Sequence, residues 1–187
     1  MTVIRLRATA GSALAALALA ITFTGTTAPS AHAATACANT TTAPTASNVP
    51  AIRASVHCLV NKERTARGLV ALAGNSQLDK AAQGHSQDMV ARRYFSHTTP
   101  EGVSYSSRIF ASGYATSRTY RSLAENIAWG SGSLGTPAQI VKSWMSSPGH
   151  RANILNGRLR DSGIGIAVGT PTGARTGGTY TQDFGTR

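Results

Sequence analysis

Apolar residues recur at helical spacing in four stretches of the chain. Over 52–67 they return every three or four residues until Gly68, and 75–94 shows the same periodicity after residues that can cap a helix. A third helix is predicted over 136–147, where a threonine and a proline favour a helix start. A shorter helix is predicted over 105–111.

Alternation typical of strands is found close to the C-terminal end. Branched residues alternate with small ones over 163–168, and 179–184 alternates again after a glycine-rich turn at 173–178. These two segments are predicted to pair as an antiparallel hairpin. Because helices come first and paired strands last, the pattern predicts a single α+β domain.

The N-terminal residues have the pattern of a secretory signal. Arg5 and Arg7 precede an apolar, alanine-rich stretch over 8–23, and small residues follow up to Ala33. We therefore predict a signal peptide over 1–33, cleavage after Ala33 and a secreted, extracellular protein. A retained membrane anchor is the alternative, which glycine and threonine within the stretch disfavour. No stretch after Ala33 has the length and apolar character of a spanning helix.

The two cysteines lie on either side of a predicted domain boundary. Residues 34–50 are mostly Ala, Thr, Ser, Asn and Pro, which predicts a linker, and the domain is expected to cover 51–187. Cys37 and Cys58 are predicted to form a disulfide, since an exported chain meets an oxidising environment. Two free thiols are the alternative, and the cysteine spacing does not indicate a metal site.

The formal net charge of +11 favours anionic partners such as lipid head groups and cell-wall polymers. The basic residues are scattered, with no arginine-rich run and no basic motif interleaved with aromatic residues. Nucleic acid is therefore not an expected partner. We expect a monomer.

Three ionisable residues are the candidates for chemistry. His97 and His150 lie in predicted loops, and Glu125 lies in an otherwise apolar stretch. Such a set can bind a divalent metal such as zinc, act as a general base oriented by an acid, or form a structural hydrogen-bonded network. The sequence leaves these three interpretations open. No cofactor is required by any motif, and His97 and His150 are the candidate metal ligands.

Seven short motifs follow one another in a fixed order, and together they resemble the bacterial branch of the CAP superfamily. This family is also called SCP-like, after cysteine-rich secretory proteins, antigen 5 and pathogenesis-related proteins. The resemblance covers about residues 54–185. The motifs are Leu59-Val60-Asn61 with Glu63-Arg64, His85-Ser86 with Met89, Phe95-Ser96-His97, Glu125-Asn126-Ile127-Ala128, Trp144 to Arg151 with Asn153-Ile154-Leu155, Gly163-Ile164-Gly165, and Thr181-Gln182 with Phe184-Gly185.

The resemblance implies an α-β-α sandwich with a central antiparallel sheet and a cleft lined by two histidines and two acids. By motif, His97, Glu125 and His150 are three members of that set. Ser147 stands where the better-studied animal and plant members have the second glutamate. Ser147 joins the supporting residues Asn126 and Gln182, whose amides can both donate and accept hydrogen bonds.

Three functions compete at this stage. The resemblance favours binding of a lipid, a sterol-like molecule or a cell-envelope fragment in the cleft, with a concave, partly apolar site as the physical basis. A metal-assisted or His/Glu-assisted hydrolase is the second, with Ser96, Ser147 or water as nucleophile. The third is a non-catalytic extracellular interaction module, in which the cluster only braces loops. No catalytic residue can be assigned.

Overall fold

The computed structural model describes residues 36–187, so the predicted signal peptide over 1–33 lies outside the described part. Within residues 36–187, no helix is long and apolar enough to cross a membrane. The elements of this part, in chain order, are α1 (Val49–Thr65), β1 (Ala73–Gly74), α2 (Ser76–Ala91), α3 (Tyr105–Ala111), β2 (Ser122–Ser131), a 3-10 turn (Gly132–Gly135), α4 (Pro137–Ser146), α5 (Pro148–Ile154), β3 (Asp161–Val168) and β4 (Gly177–Thr186).

The four strands form one sheet in the order β1-β3-β4-β2. β3 and β4 form the predicted antiparallel hairpin, and β2 pairs antiparallel with β4 on its other side. The two-residue strand β1 runs parallel to β3, so the sheet is mixed at one edge. Alternation did not predict β2, because the polar Glu125 and Asn126 stand side by side within its buried segment 124–128.

Helices cover both faces of the sheet and give the α-β-α sandwich that the resemblance implies. α2 packs on β3 and β4, with α3 beside it. α1, α4 and α5 form the other layer. The larger apolar core lies beneath this second layer and includes Trp144, Tyr180 and Phe184, each fully buried. A smaller core, which includes Leu78, Ile109 and Tyr114, surrounds α2 and α3.

Two glycines let α2 lie directly on the sheet. A Cβ atom built at Gly163 falls 2.2 Å from backbone atoms of α2, and one built at Gly165 falls 2.1 Å from them. These distances are far inside van der Waals contact. Because α2 lies so close, two of its side chains form hydrogen bonds with the backbone of β3. Asp79 accepts from the N–H of Ile164 at 2.7 Å, and Ser86 donates to the carbonyl of Gly165 at 3.1 Å.

The segment before α1 is attached to the domain. Cys37 and Cys58 form the predicted disulfide, and the carbonyl of Thr40 accepts a hydrogen bond from the backbone of Ala138 at 2.9 Å. Residues 36–48, which composition alone predicts as linker, therefore contact the folded part of the chain. α1 also begins at Val49, two residues before the predicted boundary.

A buried arginine ties the loops that flank α1 and α5. The guanidinium of Arg64 is fully buried, and its nitrogens donate hydrogen bonds of 2.6–3.2 Å to four backbone carbonyls, those of Val70, Ile154, Asn156 and Leu159. Burial lowers the pKa of Arg64. The fork of five N–H donors suits this task, which a lysine ammonium could not reproduce.

We expect Gly163→Ala to lower the free energy of unfolding by about 1–3 kcal/mol, because the added methyl group must displace α2 from the sheet. Gly149→Ala is the matched control, since a Cβ at this helical position meets no atom within 4 Å. That change should be neutral or stabilising by up to about 1 kcal/mol. Urea denaturation measures both. Equal effects of the two substitutions would contradict the close-contact explanation.

Candidate functional site

Glu125 is the centre of the candidate site. Its side chain is buried, and both carboxylate oxygens are engaged. Oε1 accepts from Nδ1 of His97 at 2.7 Å, and Oε2 accepts from Nη2 of Arg108 at 2.6 Å. The carboxylate thus fixes the tautomer of the neutral imidazole with the proton on Nδ1. The His97 side chain is 47% exposed, which leaves Nε2 as the ring nitrogen available to a ligand.

Arg108 places the loop that carries His97. The guanidinium comes from α3 and donates to the carbonyl of His97 at 3.0 Å and to the carbonyl of Val103 at 3.0 Å, in addition to Glu125. One side chain therefore positions both the imidazole and the acid that orients it. Sequence reasoning did not single out Arg108, because its partners lie in other segments and it belongs to no recognisable motif.

Asn126 positions the second histidine. Its Nδ2 donates to the carbonyl of His150 at 3.2 Å, and its Oδ1 accepts from Asn153 at 2.9 Å. Consecutive strand residues face opposite sides of a sheet, and β2 is an edge strand. Glu125 thus holds His97 on the α2 side, while Asn126 holds the helix of His150 on the other. The two predicted histidines flank the outer edge of β2.

The two imidazoles are close enough to affect each other. Burial, followed by the positive charge that His97 carries when protonated, lowers the pKa of His150 below its ordinary value of 6.5. His150 is therefore neutral at pH 7. A neutral imidazole has one donor and one acceptor nitrogen. His97 and His150 together therefore provide two imidazoles that can donate or accept hydrogen bonds, and neither imidazole carries a negative charge.

A second buried acid lies beside Glu125. Asp183 of β4 pairs with Glu125 on one side and with Gly163 on the other, and its side chain is fully enclosed. Its oxygens receive no hydrogen bond from any residue of 36–187. Burial, followed by the negative charge of Glu125, raises the pKa of Asp183 well above its ordinary value, although Arg108 acts in the opposite direction.

Asp183 was not predicted, although the sequence carries a signal for it. The segment 179–184 is predicted as a strand of the hairpin. An acid that is buried in such a strand needs a hydrogen-bonding partner or a proton. One cation, Arg108, faces two carboxyl groups here. The neutral form of Asp183 follows from that imbalance.

The remaining predicted residues have structural positions around the cleft. Ser147 is half-buried at the junction of α4 and α5, and its carbonyl accepts from the backbone of Arg151 at 2.9 Å. Gln182 is fully buried on the sheet face opposite Glu125 and donates to Ser162 at 3.0 Å. Gln182 therefore supports the sheet and does not face the imidazole of His97.

Ser96 and Ser147 were the candidate nucleophiles. The hydroxyl of Ser96 accepts from the backbone of Thr98 at 3.1 Å, in a local turn. Ser147 begins α5, and its side chain makes no capping bond. An activated serine requires a hydrogen bond to a general base. Across residues 36–187, neither hydroxyl has such a bond to an imidazole.

His97 and His150 were the candidate zinc ligands. No group of three or more His, Cys, Asp or Glu side chains among residues 36–187 is arranged to hold a metal ion. Both oxygens of Glu125 accept hydrogen bonds, from His97 and from Arg108.

An α-β-α sandwich with a Glu-oriented histidine at one sheet edge and a second histidine beside it defines the class of protein. The family model of the cysteine-rich secretory protein family, CAP, matches residues 58–184. This match covers well over half of the chain, so the chain belongs to the CAP family.

Relatives agree with this assignment. The chain is 37% identical to the protein YkwD of Bacillus subtilis over 138 residues, which are 74% of this chain and 48% of that protein. It therefore spans about half the length of that relative. An extracellular protein containing a SCP domain from Bacillus anthracis superposes with a TM-score of 0.63 at 26% identity, covering 77% of this chain and 44% of that one.

A more distant structure supports the fold alone. An outer surface protein from Borrelia burgdorferi superposes with a TM-score of 0.59 at 20% identity, covering 71% of this chain and 90% of that one.

We predict that Asp183→Asn alters how stability depends on pH. In the unfolded chain Asp183 loses its proton near its ordinary pKa of 3.8, whereas in the folded protein its raised pKa retains the proton to higher pH. The wild-type protein therefore loses stability as the pH rises through the raised pKa. Asparagine has no proton to lose, so the stability of the variant relative to wild type should increase from acidic to neutral pH.

Asp88→Asn is the control with the opposite sign. Partial burial would raise the pKa of Asp88, but hydrogen bonds from Arg92 and Tyr94 outweigh it and lower that pKa. Its removal should therefore cost more stability at neutral pH than at acidic pH. Urea denaturation across the pH range measures both variants. Equal pH dependence of Asp183→Asn and wild type would contradict a raised pKa.

Proposed function

We propose that this protein is an exported CAP-domain protein that binds an amphipathic ligand of the cell envelope, a lipid or sterol-like molecule, in the cleft between His97 and His150. The observation that carries the proposal is the orientation of His97. Its Nδ1 is held by the buried Glu125 at 2.7 Å while its side chain stays 47% exposed. A group that is held this firmly and still exposed is suited to recognise a ligand.

The polar end of the ligand would bind at the two imidazoles. His97 presents Nε2, and neutral His150 can donate or accept a hydrogen bond beside it. A hydroxyl or a carboxyl group can satisfy both positions. Because the pairing with Glu125 and Arg108 exists before any ligand arrives, little ordering of the site is needed on binding.

An apolar cavity beside Arg108 supports a ligand that also has a hydrocarbon part. This cavity of about 240 Å³ lies between α2 and α3, with Ala81, Gly84 and Ala111 among its lining residues. Lys80 and Arg108 also line it. The volume is below the roughly 300–1,000 Å³ of a pocket for a whole drug-sized ligand. A tail segment would therefore lie along this open depression while the polar end remains at the imidazoles.

Three observations support a position outside the cytoplasm. The N-terminal residues have the pattern of a signal peptide. Cys37 and Cys58 form a disulfide, which persists in oxidising compartments. The similar structure from Bacillus anthracis is described as an extracellular protein. We propose secretion with removal of residues 1–33.

The cleft is tested by titration with a fluorescent fatty acid, cis-parinaric acid, and with the fluorescent sterol dehydroergosterol. We expect saturable binding of at least one probe and a loss of affinity of about tenfold in His97→Ala and in His150→Ala, which corresponds to one or two hydrogen bonds. Competition with unlabelled fatty acid should displace the probe.

His57→Ala is the matched control, since His57 is a half-buried histidine of α1 whose Nδ1 faces Asn61 and not the cleft. It should bind the probe as wild type does. Thermal unfolding of each variant separates lost binding from lost folding. If both cleft variants bound as tightly as wild type, or if all histidine variants weakened equally, the proposed site would be wrong.

We expect the exported protein to begin at Ala34. Expression of the full chain in a secreting bacterial host, followed by intact-mass analysis of the medium, tests this cleavage. The mass of the product should correspond to residues 34–187 and should rise by two hydrogens on reduction of the Cys37–Cys58 disulfide. A product that stays in the membrane at full length would indicate a retained anchor instead.

A further inference from the structure

The outer side of α4 carries three shallow depressions that meet at one residue. Their volumes are about 410, 320 and 340 Å³, and Ser146 lines all three. Lys142 lines two of them. The three depressions therefore adjoin at Ser146. We call this side of the domain the α4 surface and define it by Lys62, Trp129, Leu134, Lys142, Ser146 and Arg151.

Two large apolar side chains are exposed on the α4 surface. Trp129 is 39% exposed at the end of β2, and Leu134 is 63% exposed in the 3-10 turn that follows. The second tryptophan of the chain behaves differently, since Trp144 is fully buried and its indole nitrogen donates to the carbonyl of Ile127 at 3.2 Å. Exposing a tryptophan and a leucine at neighbouring positions is costly unless something covers them.

The charge of the α4 surface is positive. Lys62, Lys142 and Arg151 line the depressions. Glu63 is the acid among the residues that line the three depressions, and its carboxylate is paired with Arg67 at 2.6 Å. Trp129 and Leu134 share their depression with Lys142, and Lys62 and Arg151 line the two neighbouring ones, so the surface complements a negatively charged, partly apolar partner.

We propose that the α4 surface docks on a lipid bilayer that contains anionic lipids. Tryptophan favours the boundary between head groups and acyl chains, where its ring is apolar and its N–H stays hydrated. Leu134 can enter the acyl region from the tip of its turn. The lysines extend their apolar stems along the surface and place their ammonium groups at the lipid phosphates.

The α4 surface is separate from the cleft. His97, Glu125 and His150 line none of the three depressions. Docking would bring the domain to the membrane, where amphipathic molecules are concentrated, without occupying the imidazoles. The two proposals can therefore fail independently. A soluble anionic polymer would use the same cations, but it would not need Trp129 or Leu134.

The experiment uses residues 34–187, which contain every residue that the structure describes and both cysteines, and vesicles of phosphatidylglycerol mixed with phosphatidylcholine. We expect a blue shift of tryptophan emission on binding, because Trp129 leaves water while Trp144 is already buried. Trp129→Phe should bind with no shift. Vesicles of phosphatidylcholine alone should bind weakly, and added salt should weaken binding to the anionic vesicles.

Three substitutions test the docking surface. Lys62→Gln and Lys142→Gln should each weaken sedimentation with anionic vesicles about fivefold, and Leu134→Ser should weaken it also. Arg118→Gln, at an exposed arginine that lines none of the three depressions, and Val70→Ser, at a 66% exposed valine, are the matched controls and should bind as wild type does.

Two results would overturn the proposal. The first is no binding to anionic vesicles, or binding that Leu134→Ser and the two lysine changes leave intact. The second is binding of soluble polyphosphate that loses affinity in the lysine variants but not in Leu134→Ser, with vesicles producing no shift of Trp129 emission. That second result would identify a soluble polyanion as the partner of this surface.

Discussion

The candidate site depends on one buried ion pair. Glu125 is almost fully enclosed, and a carboxylate in such a place is tolerated only when a cation and further donors satisfy it. Arg108 supplies the charge and His97 supplies the second donor. Because the same guanidinium also holds the backbone of the His97 loop, removing it would leave a charge unpaired and a loop without its support. This ion pair therefore stabilises the fold and also positions His97.

The edge strand β2 positions both histidine segments. Its neighbouring residues Glu125 and Asn126 reach opposite faces of the sheet and hold one histidine segment each. An exposed strand edge is normally a risk of unwanted pairing. Here α4 covers part of it, since Trp144 donates to the carbonyl of Ile127.

Periodicity predicted the four helices from the spacing of their apolar residues, and β3 and β4 from alternation on either side of a glycine-rich turn, and the structure confirms these elements. β3 and β4 are buried along nearly their whole length, so burial alone does not hide a strand. β1 is too short to show a pattern, and in β2 the neighbouring polar residues Glu125 and Asn126 break the alternation. Composition suggested a linker before residue 51, but the disulfide attaches that segment to the domain.

The site was partly predictable for a related reason. Histidines are few in this chain, so His97 and His150 were readily chosen as candidates. The family motifs then grouped them with Glu125 in one site. Arg108 and Asp183 are defined by partners on other strands and helices, which one sequence does not display.

The buried Arg64 differs from Arg108, which is paired with a carboxylate, because all four hydrogen-bond partners of Arg64 are neutral carbonyls. Carbonyls do not titrate, so low pH or high salt would leave these hydrogen bonds between α1 and the α5 region intact, even where exposed ion pairs elsewhere on the protein weaken.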